Sequence, residues 1–168
     1  VEARTDPDFL IIARTDSRQK LGLDEAIARS AAYAEAGADV LFVEALDGEA
    51  EIETVARRLD HPLLINVTDG GMTPALSSAR FRELGYALAI YPCTAFSAAT
   101  VTMQTVYDTL KRDGSTLELG VPVLGEMEMH ELMGFREVWD FEARWSIGTG
   151  ERADGGSGPA PDSKAVRR

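Results

Sequence analysis

An α/β fold built on a parallel sheet is what this sequence predicts, and three observations predict it. Four short runs, "FLIIA" (9–13), "VLFVE" (40–44), "LLINV" (63–67) and "LAIYP" (88–92), are rich in β-branched and aromatic residues and nearly continuous in apolarity, as strands buried on both faces of a parallel sheet are. Helical patterns separate them. The runs begin at residues 9, 40, 63 and 88, so 31, 23 and 25 residues apart, the spacing of right-handed β-α-β units.

The helices follow in order. Asp24 to Ala36 carries an aspartate suited to capping at its start and Gly37 past its end. Glu51 to Leu59 repeats the form, as does Pro74 to Leu84, with Thr73 as the expected cap, Pro74 at the first helical position and Gly85 after the stop. A fourth helix is expected over 98–112, ending at Asp113-Gly114. Two architectures fit this alternation. A doubly wound sheet would usually carry a glycine-rich turn after its first strand, and "RTDSRQKLG" is no dinucleotide fingerprint. A (β/α)8 barrel needs about 250 residues, of which this chain would supply half.

Residues 115–147 form a C-terminal helical segment on this reading. Met129, Leu132, Met133, Phe135, Val138, Trp139, Phe141 and Trp145 give it an unusually wide apolar face, which calls for a partner. Residues 148–168 are rich in Gly, Pro, Ser and charge and read as a disordered tail. The domain plan is therefore 1–114, 115–147 and 148–168.

Composition narrows the function classes. A net charge of −11 opposes attraction to nucleic acid or anionic lipid. One cysteine, Cys93, and two histidines, His61 and His130, make a poor zinc inventory, so any metal would be a hard cation held by oxygens. No long apolar run or leader pattern is found, and a cytoplasmic protein, or part of one, is expected.

Each strand ends in a polar or special residue: Arg14 and Asp16, then Glu44, then Asn66 and Thr68, then Tyr91-Pro92. In parallel α/β folds the carboxyl ends of the strands converge on one site. Strand-end charges also serve as salt-bridged supports, and Asp16 reads first as a holder of Arg14 or a turn cap. Glu44 directly follows "VLFV" and must be paired or metal-linked there. Asn66 donates and accepts, which suits a carboxylate or enolate oxygen. Gly70-Gly71 reads as a plain loop, Cys93 as a small buried hydrophobe, His61 as a residue on the stability face and His130 as a surface or interface residue.

"FLIIARTDSR", "GLDEAIARSAAYAEAGADVLFVEA" and "PLLINVTDGGMTPALSSARFRELGYALAIYP" together resemble the isocitrate lyase and phosphoenolpyruvate mutase superfamily, in this order and at these intervals, from about Asp8 to Arg112. The resemblance implies a (β/α)8 barrel, with this chain on its last four β/α units and the C-terminal helices. It implies that Arg14 binds the substrate carboxylate and that Asn66 and Thr68 grip a carboxylate. It places Glu44 near the substrate and the water shell of Mg2+, with Mn2+ as the alternative metal. The family's direct metal ligands and its cysteine-containing loop lie on earlier strands, outside these residues, which favours a piece of a longer chain. It also implies homo-oligomers through the C-terminal helices.

Three functions follow as expectations. The first is part of a carbon–carbon lyase acting on a small 2-hydroxy di- or tricarboxylate through an enolate. The second is a phosphonomutase or oxaloacetate decarboxylase on the same scaffold. The third is a non-catalytic half-barrel scaffold, if the chain is complete as given.

Overall fold

The computed structural model describes residues 1–145. Contacts divide the chain into two units, one from Val1 to Val121 and one from Pro122 onward. The tail expected over 148–168 lies outside the described residues.

The first unit runs β1 (Ile12–Thr15), α1 (Arg18–Leu21), α2 (Leu23–Glu35), β2 (Val40–Val43), α3 (Gly48–Arg58), β3 (Leu63–Asn66), α4 (Ser78–Glu83), β4 (Tyr86–Ile90) and α5 (Thr94–Asp113). Its four strands form one sheet in the order β1-β2-β3-β4, every pair parallel. A doubly wound sheet reverses its strand order at a switch point. This one never reverses, as a segment of barrel requires.

Alternation along the strands divides the sheet into two faces. Leu41 and Val43 of β2 and Leu63 and Ile65 of β3 pack with Ala26 and Ile27 of α2, Ile52 and Val55 of α3 and Phe81 of α4, forming the main core. Val40, Phe42 and Leu64 make a separate small cluster on the opposite, inner face. A bulge in the β3–β4 pairing keeps the two faces in step. Leu63 pairs with Tyr86 but Leu64 with Leu88, so Tyr86 joins the main core while Leu88 and Ile90 stay with the inner face.

Burial on both faces holds for β2 and for Leu63 to Ile65, but not for the outer strands. Ile12, Leu88 and Ile90 on the inner face remain 47%, 44% and 39% exposed.

Several boundaries differ from the sequence reading. The first strand begins three residues later than expected and takes in Arg14 and Thr15, since the Asp39 carboxylate accepts from the Ile11 N–H and ends the pairing there. The one-turn helix α1 replaces what reads as an open turn. The third helix starts at Ser78 rather than Pro74, because the Ser77 hydroxyl accepts from the Arg80 N–H and caps it there. Asp24 is not the cap of α2; Gly22 holds that position, and Asp24 pairs with Arg58 of α3.

The second unit contains α6 (Glu126–Leu132) and α7 (Phe135–Trp145). Gly134, at φ 78°, sits in the left-handed conformation that separates them. His130 packs against Phe135 and Trp139, with ring centroids 5.0 and 5.6 Å apart. Met127, Leu132, Met133, Phe141 and Trp145 are exposed.

Candidate active site

The period of two that separates the faces also sets the site. Arg14 pairs in register with Phe42, which puts it on the inner face of β1. Glu44 follows Phe42 by two residues, and Asn66 follows Leu64 by two. All three side chains therefore leave the same face at the carboxyl ends of their strands.

Their geometry is close. The Arg14 guanidinium stands over the Phe42 ring, 4.8 Å from its centroid. It donates to Asp16 from Nε at 3.2 and 3.1 Å and from Nη2 at 2.7 Å, and the same Nη2 lies 3.4 Å from Glu44 Oε2. Asn66 Nδ2 faces both Glu44 oxygens at 3.4 Å. These contacts to Glu44 are longer than an ordinary N–H···O bond. A ligand oxygen could therefore compete for both donors without breaking a tight pair.

The charge states follow from these contacts. The hydrogen bond from Arg14 holds the Asp16 carboxyl below its ordinary value, and the same bond, aided by the charge of Glu44, raises Arg14. The guanidinium thus stays cationic while half exposed, with Phe42 beneath it. Asn66 Oδ1 is buried and has no hydrogen-bond partner among the described residues. An orphaned acceptor of this kind has a cost unless a donor arrives.

A recess of about 300 Å3 opens beside these groups, lined by Gln19, Glu44, Ala45, Asn66, Thr68, Gly71, Met72 and Thr73. Thr68 lines it, and its backbone carbonyl accepts from the Gly71 N–H at 2.9 Å. A Cβ on Gly71 would lie 3.0 Å from that carbonyl, so the glycine pair is more than a plain loop: the turn closes because residue 71 has no side chain. Gln19 of α1 donates to the Met72 sulfur at 3.1 Å across the rim. Ala45, directly after Glu44, has φ 61°, the one non-glycine in that region among the described residues.

The structure thus brings Arg14, Glu44 and Asn66 together and sets Thr68 beside them. Asp16 holds Arg14, as its position suggests. Tyr91 is exposed and does not line the recess. Cys93 is exposed at the start of α5 rather than buried, since β4 ends at Ile90 and the chain has left the sheet before it. His61 Nε2 lies 2.7 Å from the Ala38 carbonyl, away from the site. Sequence reasoning missed Gln19, Ala45 and Met72. A helical turn of four residues leaves no periodic signal, and nothing in the identity of Ala45 announces its backbone.

Among the described residues, no three His, Cys, Asp or Glu side chains gather to hold a metal. Asp16 is taken up by Arg14, and both Glu44 oxygens already face donors. These residues do not fit the inner shell of a divalent cation.

A family model described as phosphoenolpyruvate phosphomutase matches residues 1–111. The chain is 37% identical over 148 residues to 2,3-dimethylmalate lyase of Eubacterium barkeri, covering 88% of this chain and 51% of that protein. It is 38% identical over 134 residues to 2-methylisocitrate lyase of Bacillus subtilis, covering 80% and 42%. Among solved structures, 2,3-dimethylmalate lyase superposes with a TM-score of 0.71 at 34% identity, covering 80% of this chain and 47% of that one. Oxaloacetate acetylhydrolase in complex with the product oxalate superposes at 0.73 with 25% identity, covering 82% and 47%. The chain spans about half the length of these relatives. With the unreversed strand order, these overlaps put its sheet in a (β/α)8 barrel.

Proposed function

Because this chain belongs to the isocitrate lyase and phosphoenolpyruvate mutase superfamily, we propose that it carries the carboxylate-binding side of a carbon–carbon lyase acting on a small 2-hydroxy di- or tricarboxylate. The observation that supports this reading above others is that Arg14 and Asn66 each stand 3.4 Å from Glu44, with Asn66 Oδ1 buried and unpartnered among the described residues. On this reading Arg14 grips a substrate carboxylate through two parallel N–H groups. Asn66 Nδ2 and the Thr68 hydroxyl hold a further carboxylate oxygen, and Asn66 Oδ1 takes a substrate or water hydrogen.

The reaction needs donors where charge develops. A base takes the hydroxyl proton as the carbonyl forms, the adjacent carbon–carbon bond breaks, and its electron pair passes into an enolate. Arg14 and Asn66 are preorganised to hold such an oxyanion. Glu44 keeps both donors aimed before substrate arrives. On this reading the whole protein would use a divalent cation, Mg2+ or Mn2+, with its direct ligands supplied from outside these residues; Glu44 would reach only its water shell, and the cation would supply charge to stabilise the developing enolate. The exposed apolar side chains of α6 and α7 support a homo-oligomer assembled through that segment.

The test is substrate screening of the whole protein, with release of a 2-oxo acid as the readout for a lyase or decarboxylase and conversion of the phosphonate to an enol phosphate as the readout for a mutase. Turnover of 2,3-dimethylmalate, 2-methylisocitrate or isocitrate supports the lyase. Turnover of phosphonopyruvate or oxaloacetate alone moves the chain to the mutase or decarboxylase reading. A folded protein that neither turns over any of these nor binds oxalate overturns the proposal in favour of the scaffold reading. Light scattering that reports a monomer would remove the oligomer.

A further inference from the structure

The most constrained ion pair near the recess does not line it. Arg18, on α1, donates to Glu51 of α3 from Nε at 2.9 Å and from Nη2 at 2.7 Å. Both side chains are largely buried, at 16% and 23% exposure. Each holds the other in its charged form: the hydrogen bond to Arg18 lowers Glu51, and the bond to Glu51 raises Arg18. Glu51 Oε2 also accepts from the Asp47 N–H at 2.8 Å, and Arg18 Nη2 lies 3.6 Å from Asp47 Oδ2.

The pair ties together the two connections that carry the site's opposite charges. Between Glu44 and Asp47 the chain passes through Ala45, at φ 61°, a conformation that a residue with a Cβ keeps only when its surroundings impose it. Upstream of Ala45, the Glu44 N–H donates to the Thr15 carbonyl at 3.0 Å. Downstream, Leu46 is fully buried and the Asp47 N–H is held by Glu51, itself held by Arg18. Thr15 and Arg18 belong to one short stretch, braced by the Thr15–Ser17 hydroxyl contact at 2.8 Å. The strained turn is thus pinned at both ends to the segment that follows Arg14. α1 has no side-chain cap of its own, so the pair also seats that turn.

We propose that Arg18 and Glu51 are positioning residues, which hold the turn at Ala45 so that the Glu44 carboxylate is aimed at Arg14 and Asn66. This inference rests on reading Glu44 as a site carboxylate. The pair acts through Glu44 and touches no substrate.

A double-mutant cycle in the whole protein tests it. Glu51→Gln keeps the shape but loses the two-pronged pair, and is expected to lower kcat at least tenfold with KM changed less than threefold. In a Glu44→Gln background the same change should have no further effect on kcat, because the group being aimed is gone. The reversal Arg18→Glu with Glu51→Arg should recover part of the loss. A merely structural pair gives the opposite pattern: equal losses in both backgrounds, following the melting temperature. Equal losses, or full activity of Glu51→Gln, overturn the proposal. If the wild-type protein shows no turnover, it is the lyase reading that fails. The positioning role is then decided by a crystal structure of Glu51→Gln: Glu44 displaced from its 3.4 Å contacts supports it, and Glu44 unmoved overturns it.

Discussion

Arg14→Lys in the whole protein separates the charge of this side chain from its shape. Arginine offers parallel donors: Nε and Nη2 hold Asp16, while Nη2 also reaches Glu44 at 3.4 Å. A lysine ammonium keeps the charge as a single point and cannot serve Asp16 and a bidentate carboxylate together. One charge-assisted hydrogen bond contributes about 1.5–3 kcal/mol. At about 1.4 kcal/mol per tenfold, its loss lowers kcat/KM roughly 10- to 150-fold. Stability should change far less. The Arg14 and Asp16 side chains are 45% and 68% exposed, where an ion pair contributes about 0–1 kcal/mol and the stack on Phe42 about 0.5–1 kcal/mol more. Steady-state kinetics beside a thermal melt reads both effects. A kcat/KM within threefold of wild type, with the fold retained, would refute the assignment of Arg14 to the site. A collapse of the melt would show Arg14 to be a structural ion-pair residue.

Three further outcomes follow from the same geometry. Gly71→Ala places a Cβ 3.0 Å from the rigid Thr68 carbonyl; it should cost about 1–3 kcal/mol and weaken oxalate binding measured by calorimetry. Ile52→Ala empties a fully buried core position between α3 and the sheet; chemical denaturation should show a loss of about 2–5 kcal/mol. The Glu51 carboxyl is held below its ordinary value by Arg18, so its contribution to stability is full above the unfolded carboxylate value and is lost as pH falls through the folded one. Unfolding free energies measured below about pH 4.3 should therefore fall more steeply for wild type than for Glu51→Gln, and equal slopes would contradict the pairing.

How much of this could be read from sequence depends on the range of the forces involved. The runs at 40–44 and 63–67 were legible as strands because both of their faces are covered, so hydrophobicity alone marks them. By apolarity alone the first strand starts three residues early, because Phe9 and Leu10 are as apolar as a buried strand and yet are exposed. Only the contact of Asp39 with the Ile11 N–H, 28 positions away along the chain, decides where pairing starts. Pro74 carries a helix-start signal that Ser77 overrides by capping three residues later. Glu44 was legible for a thermodynamic reason: a carboxylate after four buried apolar residues must find a partner, and it finds Arg14 and Asn66. Ala45 had no such signal, since its strain comes from the fixed ends of a turn rather than from its side chain.

The bulge in the β3–β4 pairing gives the site its polarity. With an unbroken register from Leu63–Tyr86, Ala89 would pair with Asn66 and the inner face of β4 would carry Ala87 and Ala89. The shift instead pairs Asn66 with Ile90 and Leu64 with Leu88. The inner end of the sheet is therefore graded: Arg14, Glu44 and Asn66 supply charge and hydrogen bonds from β1, β2 and β3, and Ile90 supplies hydrocarbon from β4. A ligand matched to that gradient has ionised oxygens toward one side and carbon toward the other. The order of strands brings the three polar groups together, and the single bulge decides that Leu88 and Ile90, rather than Ala87 and Ala89, share their face.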